Sequence, residues 1–157
     1  MKNESFAAVI ETNRSPKEVF EAITNVRGWW CERFAGKSAQ LDDEFEVRFA
    51  DVHYSKQKVV EYLPGMKLAW LITDSQLNFL KDKSEWTGTK ISFNISAENG
   101  RTRLHFLHEG LTPAVECFRD CSNGWDYFLH QSLLPLINTG KGNPNILEEE
   151  IAAKTSI

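Results

Sequence analysis

The chain has 157 residues, 41% apolar and 25% charged, the composition of one ordinary globular domain. Its net charge of −4 argues against a nucleic-acid binder that works by neutralising phosphates. No apolar run approaches the ~20 residues of a membrane-spanning helix, and Met1–Ser5 leads into no apolar stretch of a signal peptide.

In chain order, Ser5 to Asn13 is rich in β-formers and reads as a strand. Ser15-Pro16 with Glu18 then opens a helix through N-cap, first-turn proline and capping box, and Val19, Phe20 and Ile23 follow at helical spacing. Gly28 breaks that pattern, and Trp29 to Phe34 reads as a second short helix or a turn. Glu44 to Ala50 alternates, with Phe45, Val47 and Phe49 on one face; this is the pattern of an antiparallel sheet with one wet side. Tyr54–Leu63 and Met66–Thr73 are further strands joined by Pro64-Gly65. Asp74 to Gly88 is a polar connection with apolar points at Leu77, Phe79, Leu80 and Trp86. Thr89–Ala97 and Arg101–Glu109 form a hairpin across Asn99-Gly100, a type I′ turn signal. Thr112-Pro113 should cap a helix reaching about Asn138, its apolar stripe running through Val115, Phe118, Trp125, Leu129, Leu133 and Leu136. Pro135 should kink or fray its last turn.

The elements are segregated, so the class is α+β. The expected architecture is a curved six-stranded antiparallel sheet around a long C-terminal helix, with two short helices after the first strand. Residues 1–142 make that domain, and 143–157 form a tail, either a short helix or disordered. A sheet gripping one helix leaves concave, mostly apolar space unless large side chains fill it.

The sequence resembles the START-like helix-grip superfamily, also called SRPBCC. Within it, the chain is similar to the C-terminal domain of the activator of the ninety-kilodalton heat-shock protein's ATPase. The residues that carry the likeness are Ser15 to Thr24, the pair Trp29-Trp30, the turn from Glu61 to Leu68, the Thr89–Glu109 hairpin, and Gly124-Trp125 followed by Leu129 and Leu133. The superfamily spans ligand carriers, cyclases and chaperone regulators, so the resemblance implies a fold and leaves function to the site.

The aromatics are abundant: ten Phe, five Trp and three Tyr. Strand parity and the stripe of the long helix turn Phe49, Trp70, Phe93, Phe106 and Trp125 toward one sheet–helix space, and Trp30 sits where the short helices close one end of it; these rings either line or fill that space. His108 shares the inward face of Leu104 and Phe106; it is a hydrogen-bonded core residue, a ligand contact or a general base. Ser122 and Ser132 lie on the inner stripe of the helix, where a small polar residue leaves room or bonds to backbone. With Leu129, these residues make the expected ligand site: Trp30, Phe49, Trp70, Phe93, Phe106, His108, Ser122, Trp125 and Leu129. No nucleophile motif, phosphate loop or dinucleotide fingerprint is present, so no catalytic residue and no cofactor are assigned. Cys31, Cys117 and Cys121 are an odd set without framework spacing, and read as reduced, buried thiols rather than metal ligands.

The leading expectation is a cytoplasmic, non-catalytic protein that binds a small hydrophobic or aromatic molecule. Two alternatives stand beside it. One is an interaction module with a chaperone partner and a stress role, as the resemblance implies. The other is a cyclase- or hydrolase-like enzyme using His108 with Tyr54 or Tyr62. No nucleic acid or membrane partner is expected, and exposed strand edges are compatible with a homodimer.

Overall fold

A computed structural model describes residues 5–50 and 52–145. The element order is β1 (Phe6–Thr12), α1 (Pro16–Thr24), α2 (Val26–Trp29), β2 (Phe34–Gly36), β3 (Glu44–Phe49), β4 (His53–Leu63), β5 (Lys67–Leu77), β6 (Lys90–Glu98), β7 (Arg101–Glu109), α3 (Phe118–Phe128) and α4 (Leu134–Thr139). The strands make one antiparallel sheet in the order β1-β7-β6-β5-β4-β3-β2, with helices packed on one face. The α+β helix-grip reading holds, with seven strands where six were expected.

The extra strand is β2. Three residues are too few to show a period, so the segment reads as a turn. Its pairing with β3 depends on Gly36, whose φ of +112° suits glycine and whose missing Cβ avoids the Glu44 carbonyl. Phe34 then stacks on Phe45 with ring centres 5.3 Å apart. Strand β4 carries two register shifts against β5, between Lys56 and Gln57 and between Val59 and Glu61. Such irregularities bend a strand and increase its twist.

Helix α1 starts as its sequence dictates: Glu18 N–H donates to Ser15 Oγ (3.1 Å), and Ser15 N–H donates to the Glu18 carboxylate (3.0 Å). The C-terminal helix starts later than expected. Thr112 Oγ1 takes the Ala114 N–H and its carbonyl takes the Val115 N–H, which closes a turn instead of a first helical turn. Glu85 ties down the residues just before the actual start, accepting the Glu116 and Cys117 N–H groups at 2.9 and 3.1 Å.

Pro135 does not fray the helix, which continues to Thr139. Residues Leu129–Leu133 widen into a π-helical turn, and Leu134 N–H donates to the Leu129 carbonyl. The Gln131 carbonyl, which Pro135 cannot serve, accepts Asn143 Nδ2 at 2.6 Å. Ser132 Oγ donates to the Trp29 carbonyl (2.6 Å) and accepts Asn143 N–H (2.7 Å), so its small polar side chain bonds to backbone. The chain after α4 passes close enough that a Cβ on Gly142 would collide with the Gly28 carbonyl. Asn145 continues the contact, donating to the Trp30 carbonyl and accepting Glu32 N–H. The remainder of the expected tail, 146–157, lies outside the described residues.

Cys117 and Cys121, expected as reduced thiols, are joined as a disulfide. One helical turn at the start of α3 brings their Cα atoms to 5.5 Å, within disulfide reach. Cys31 is a buried thiol whose Sγ donates to the Arg48 carbonyl (3.0 Å).

Candidate functional site

All five tryptophans are 5% exposed or less, so the aromatic excess belongs to one interior. Trp30 is its hub, stacked on Trp125 (5.1 Å), Trp70 (5.9 Å) and Trp29 (6.2 Å). Toward β5, β6 and β7 this interior is filled. Trp70 packs edge-on against Phe93 at 4.9 Å, Phe93 against Phe106 at 5.3 Å, and Phe106 lies 4.7 Å from Trp125.

The other end is open. Between the β3–β4 hairpin, the 78–89 connection and α3 lies a cavity of about 280 Å³. It is lined by Trp30, Phe49, Val52, His53, Phe79, Trp86, Asp120, Cys121, Gly124, Trp125 and Phe128. The connection after β5 therefore walls the cavity with Phe79 and Trp86. Trp86 is held by its Nε1–H donating to Cys117 Sγ (3.3 Å) and by stacking on Trp125. Gly124 adds space: a Cβ there would meet no atom within 4 Å.

Of the expected site residues, Trp30, Phe49 and Trp125 meet on the cavity wall. Trp70, Phe93, Phe106 and Leu129 lie in the filled core. Ser122 Oγ is sealed from solvent without a hydrogen-bond partner.

His108 is fully buried behind the wall, and both ring nitrogens are engaged. Indole N–H can only donate, so Trp125 Nε1–H donates to His108 Nδ1 (3.0 Å). The proton therefore sits on Nε2, which donates to Thr89 Oγ1 (2.9 Å), and Thr89 Oγ1 in turn donates to the Trp86 carbonyl (2.6 Å). This chain links the Trp125 indole to the Trp86 backbone through one neutral imidazole. Burial pushes the His108 ring down to about 3, with a smaller contribution from His53. Neither tyrosine is its partner: Tyr54 donates to Glu46, and Tyr62 packs on Phe20.

The polar group actually on the cavity wall is His53, which sequence reasoning missed. Its ring packs edge-on against Trp86 (4.8 Å) and Phe49 (4.9 Å) and lies 6.4 Å from Trp30. Burial pushes it, too, down to about 3. Its Nε2 is 2.9 Å from Ser55 Oγ, which accepts Gln57 Nε2–H at 2.5 Å. Alternation along β4 places His53, Ser55, Gln57 and Val59 inward. Three polar residues in that inner row look like a solvent face, which conceals the signal.

Among the described residues no group of His, Cys, Asp and Glu is arranged to hold a metal, and no helix is long and apolar enough to cross a membrane.

The architecture is a START-like helix-grip fold, and solved structures share it. An Aha1 protein of Colwellia psychrerythraea, solved in solution as a dimer, superposes over 90% of this chain and all of its own, with a TM-score of 0.72 and 23% identity. DynU16, a protein of the dynemicin biosynthetic locus, matches 92% of this chain and 51% of its own at TM-score 0.66 and 15% identity. CalU16 of Micromonospora echinospora matches 87% and 77% at 0.62 and 16%. No protein-family model and no curated protein sequence matches the chain.

Proposed function

We propose that this protein binds a small, mainly apolar, aromatic molecule in the cavity between the β3–β4 hairpin, the 78–89 connection and α3. Gly124 carries the reading. A glycine inside a helix costs about 1 kcal/mol relative to alanine. No close approach calls for it here, since the space its Cβ would occupy is empty. What the missing side chain provides is room on a wall of stacked indoles. At about 280 Å³ the cavity suits one ring system rather than a lipid chain.

Gly124→Leu separates ligand binding from folding. Leucine is a better helix former and fills the space, so the variant should be more stable than the wild type by up to about 1 kcal/mol. It should also lose affinity for naphthalene in equilibrium dialysis. Unchanged naphthalene affinity in a folded Gly124→Leu protein, or no binding by the wild type, overturns the proposal.

The likeness to the Aha1 dimer favours a second reading: an interaction module that pairs with itself or with a chaperone, in a cytoplasmic stress role. The sheet offers backbone edges for such contacts at β1 and β2. A strictly monomeric chain that captures no purified chaperone removes this reading.

A further inference from the structure

We propose that His53 is the specificity residue of the cavity, and that it selects an aromatic ligand carrying a hydrogen-bond acceptor such as a ketone or aldehyde oxygen. This rests on the cavity being the binding site, and adds what the ligand must display there.

The cavity wall is aromatic and aliphatic apart from His53, Cys121 and Asp120. Cys121 is committed to its disulfide. Asp120 is exposed at the rim, and its carboxylate repels another acceptor. His53 is the polar group placed among the rings that would hold the ligand's body, between Phe49, Trp86 and Trp30.

One of its nitrogens is spoken for, and the hydrogen-bond wiring assigns the other. Gln57 Nε2–H donates to Ser55 Oγ, so the Ser55 hydroxyl proton needs an acceptor, and His53 Nε2 is the one in reach. That places the imidazole proton on Nδ1. Turning the Gln57 amide around would reverse the chain, but it would bury an amide N–H₂ without a partner where an amide oxygen now lies. Orphaned donors are rarer in proteins than under-used carbonyl oxygens. Nδ1 itself has no partner among the described residues. Nor is it sealed in: the enclosed polar atoms without a partner are Gln57 Oε1, Trp70 Nε1 and Ser122 Oγ.

His53 thus carries one fixed N–H donor, on a ring that lines both the aromatic cavity and a smaller polar pocket beside Arg33, Arg48 and Gln76. Its ring does not ionise at neutral pH, so it recognises a dipole and does not require an anion. Ser55 and Gln57 are positioning residues, holding the proton on Nδ1.

The test uses two probes of one shape, naphthyl methyl ketone and isopropylnaphthalene, titrated into the full chain and into His53→Phe. The quantity read is the ratio of the two dissociation constants. His53→Phe should shift it against the ketone by about tenfold, the worth of one hydrogen bond inside an apolar site. An unchanged ratio with both probes bound overturns the inference and leaves the cavity as the binding site. Failure of the wild type to bind either probe overturns both. Should His53→Phe not fold, nitrogen NMR of the wild-type imidazoles decides: the ketone, and not the hydrocarbon, should shift the protonated His53 Nδ1 resonance. A shift with both or with neither overturns the inference.

Discussion

Lowering the pH toward 5 should destabilise this protein through His108, and the size of the effect can be worked out from its surroundings. The ring is fully buried, accepts from Trp125 at Nδ1 and donates to Thr89 from Nε2. A proton on Nδ1 would turn that acceptor into a donor facing an indole N–H. Burial holds the folded ring down to about 3, whereas in the unfolded chain it titrates at its ordinary 6.5. Its contribution to stability is therefore complete above 6.5, and is lost as the pH falls from there toward 3. The unfolded chain binds one more proton than the folded one in that window, which costs about 1.4 kcal/mol per pH unit, or about 2 kcal/mol by pH 5. His53 acts in the same direction, but it borders the open cavity, so its share is discounted for solvent screening. Glu18 and Glu61 are held below the ordinary carboxylate range, by the Ser15 N–H and by the Lys67 and Lys90 ammonium groups; they titrate at still lower pH and leave this window clear. The assay is urea unfolding from about pH 7.5 to 5, on the wild type and on His108→Gln, whose amide can still accept from Trp125 and donate to Thr89. The variant's stability should fall by about one proton's worth less over the range. Equal slopes for the two proteins would refute a buried neutral His108.

Ser132→Ala should cost about 1–3 kcal/mol in urea unfolding, because the Trp29 carbonyl and the Asn143 N–H lose their shared partner at a buried site. Trp125→Phe should cost at least as much, since it leaves His108 Nδ1 without its donor and trims the stack that Trp30 and Trp86 share; no change in the urea midpoint would contradict the assigned hydrogen bond. Reduction of Cys117–Cys121 should lower stability by about 2 kcal/mol or less, because the bridge closes a very short loop; unfolding with and without reductant, with thiol alkylation read by mass, measures it.

Much of the fold was legible because its signals are local. The Ser15–Glu18 capping box, the alternation of Phe45, Val47 and Phe49, and the Asn99-Gly100 turn each specify their element within a few residues. The late start of α3 was not legible. Thr112-Pro113 has the chemistry of a cap but closes a turn, and the chain between it and α3 is held by Glu85, some thirty residues away in sequence. The π-helical turn was equally hidden, since the partner that relieves Pro135 is Asn143, beyond the end of the helix. In the site, strand parity and the helix stripe brought Phe49 and Trp125 to one space with Trp30 at its end, but such patterns cannot distinguish a ring on a cavity wall from one in a filled core. Trp70, Phe93 and Phe106 share the wall residues' parity and lie among other rings. His53 was hidden for the opposite reason, because an inner row of polar residues has the pattern of an outer one.

A small aromatic molecule should enter at the open end of the tryptophan cluster and nowhere else. The direct measurement is the set of five indole N–H resonances in a proton–nitrogen correlation spectrum during titration with naphthyl methyl ketone. Trp30, Trp86 and Trp125 line the cavity, while Trp29 and Trp70 are buried away from it. The account predicts that the first three shift together and saturate at one equivalent, while the other two move far less. Equal movement of all five, or no movement of Trp86 and Trp125 at saturating ketone, would contradict it.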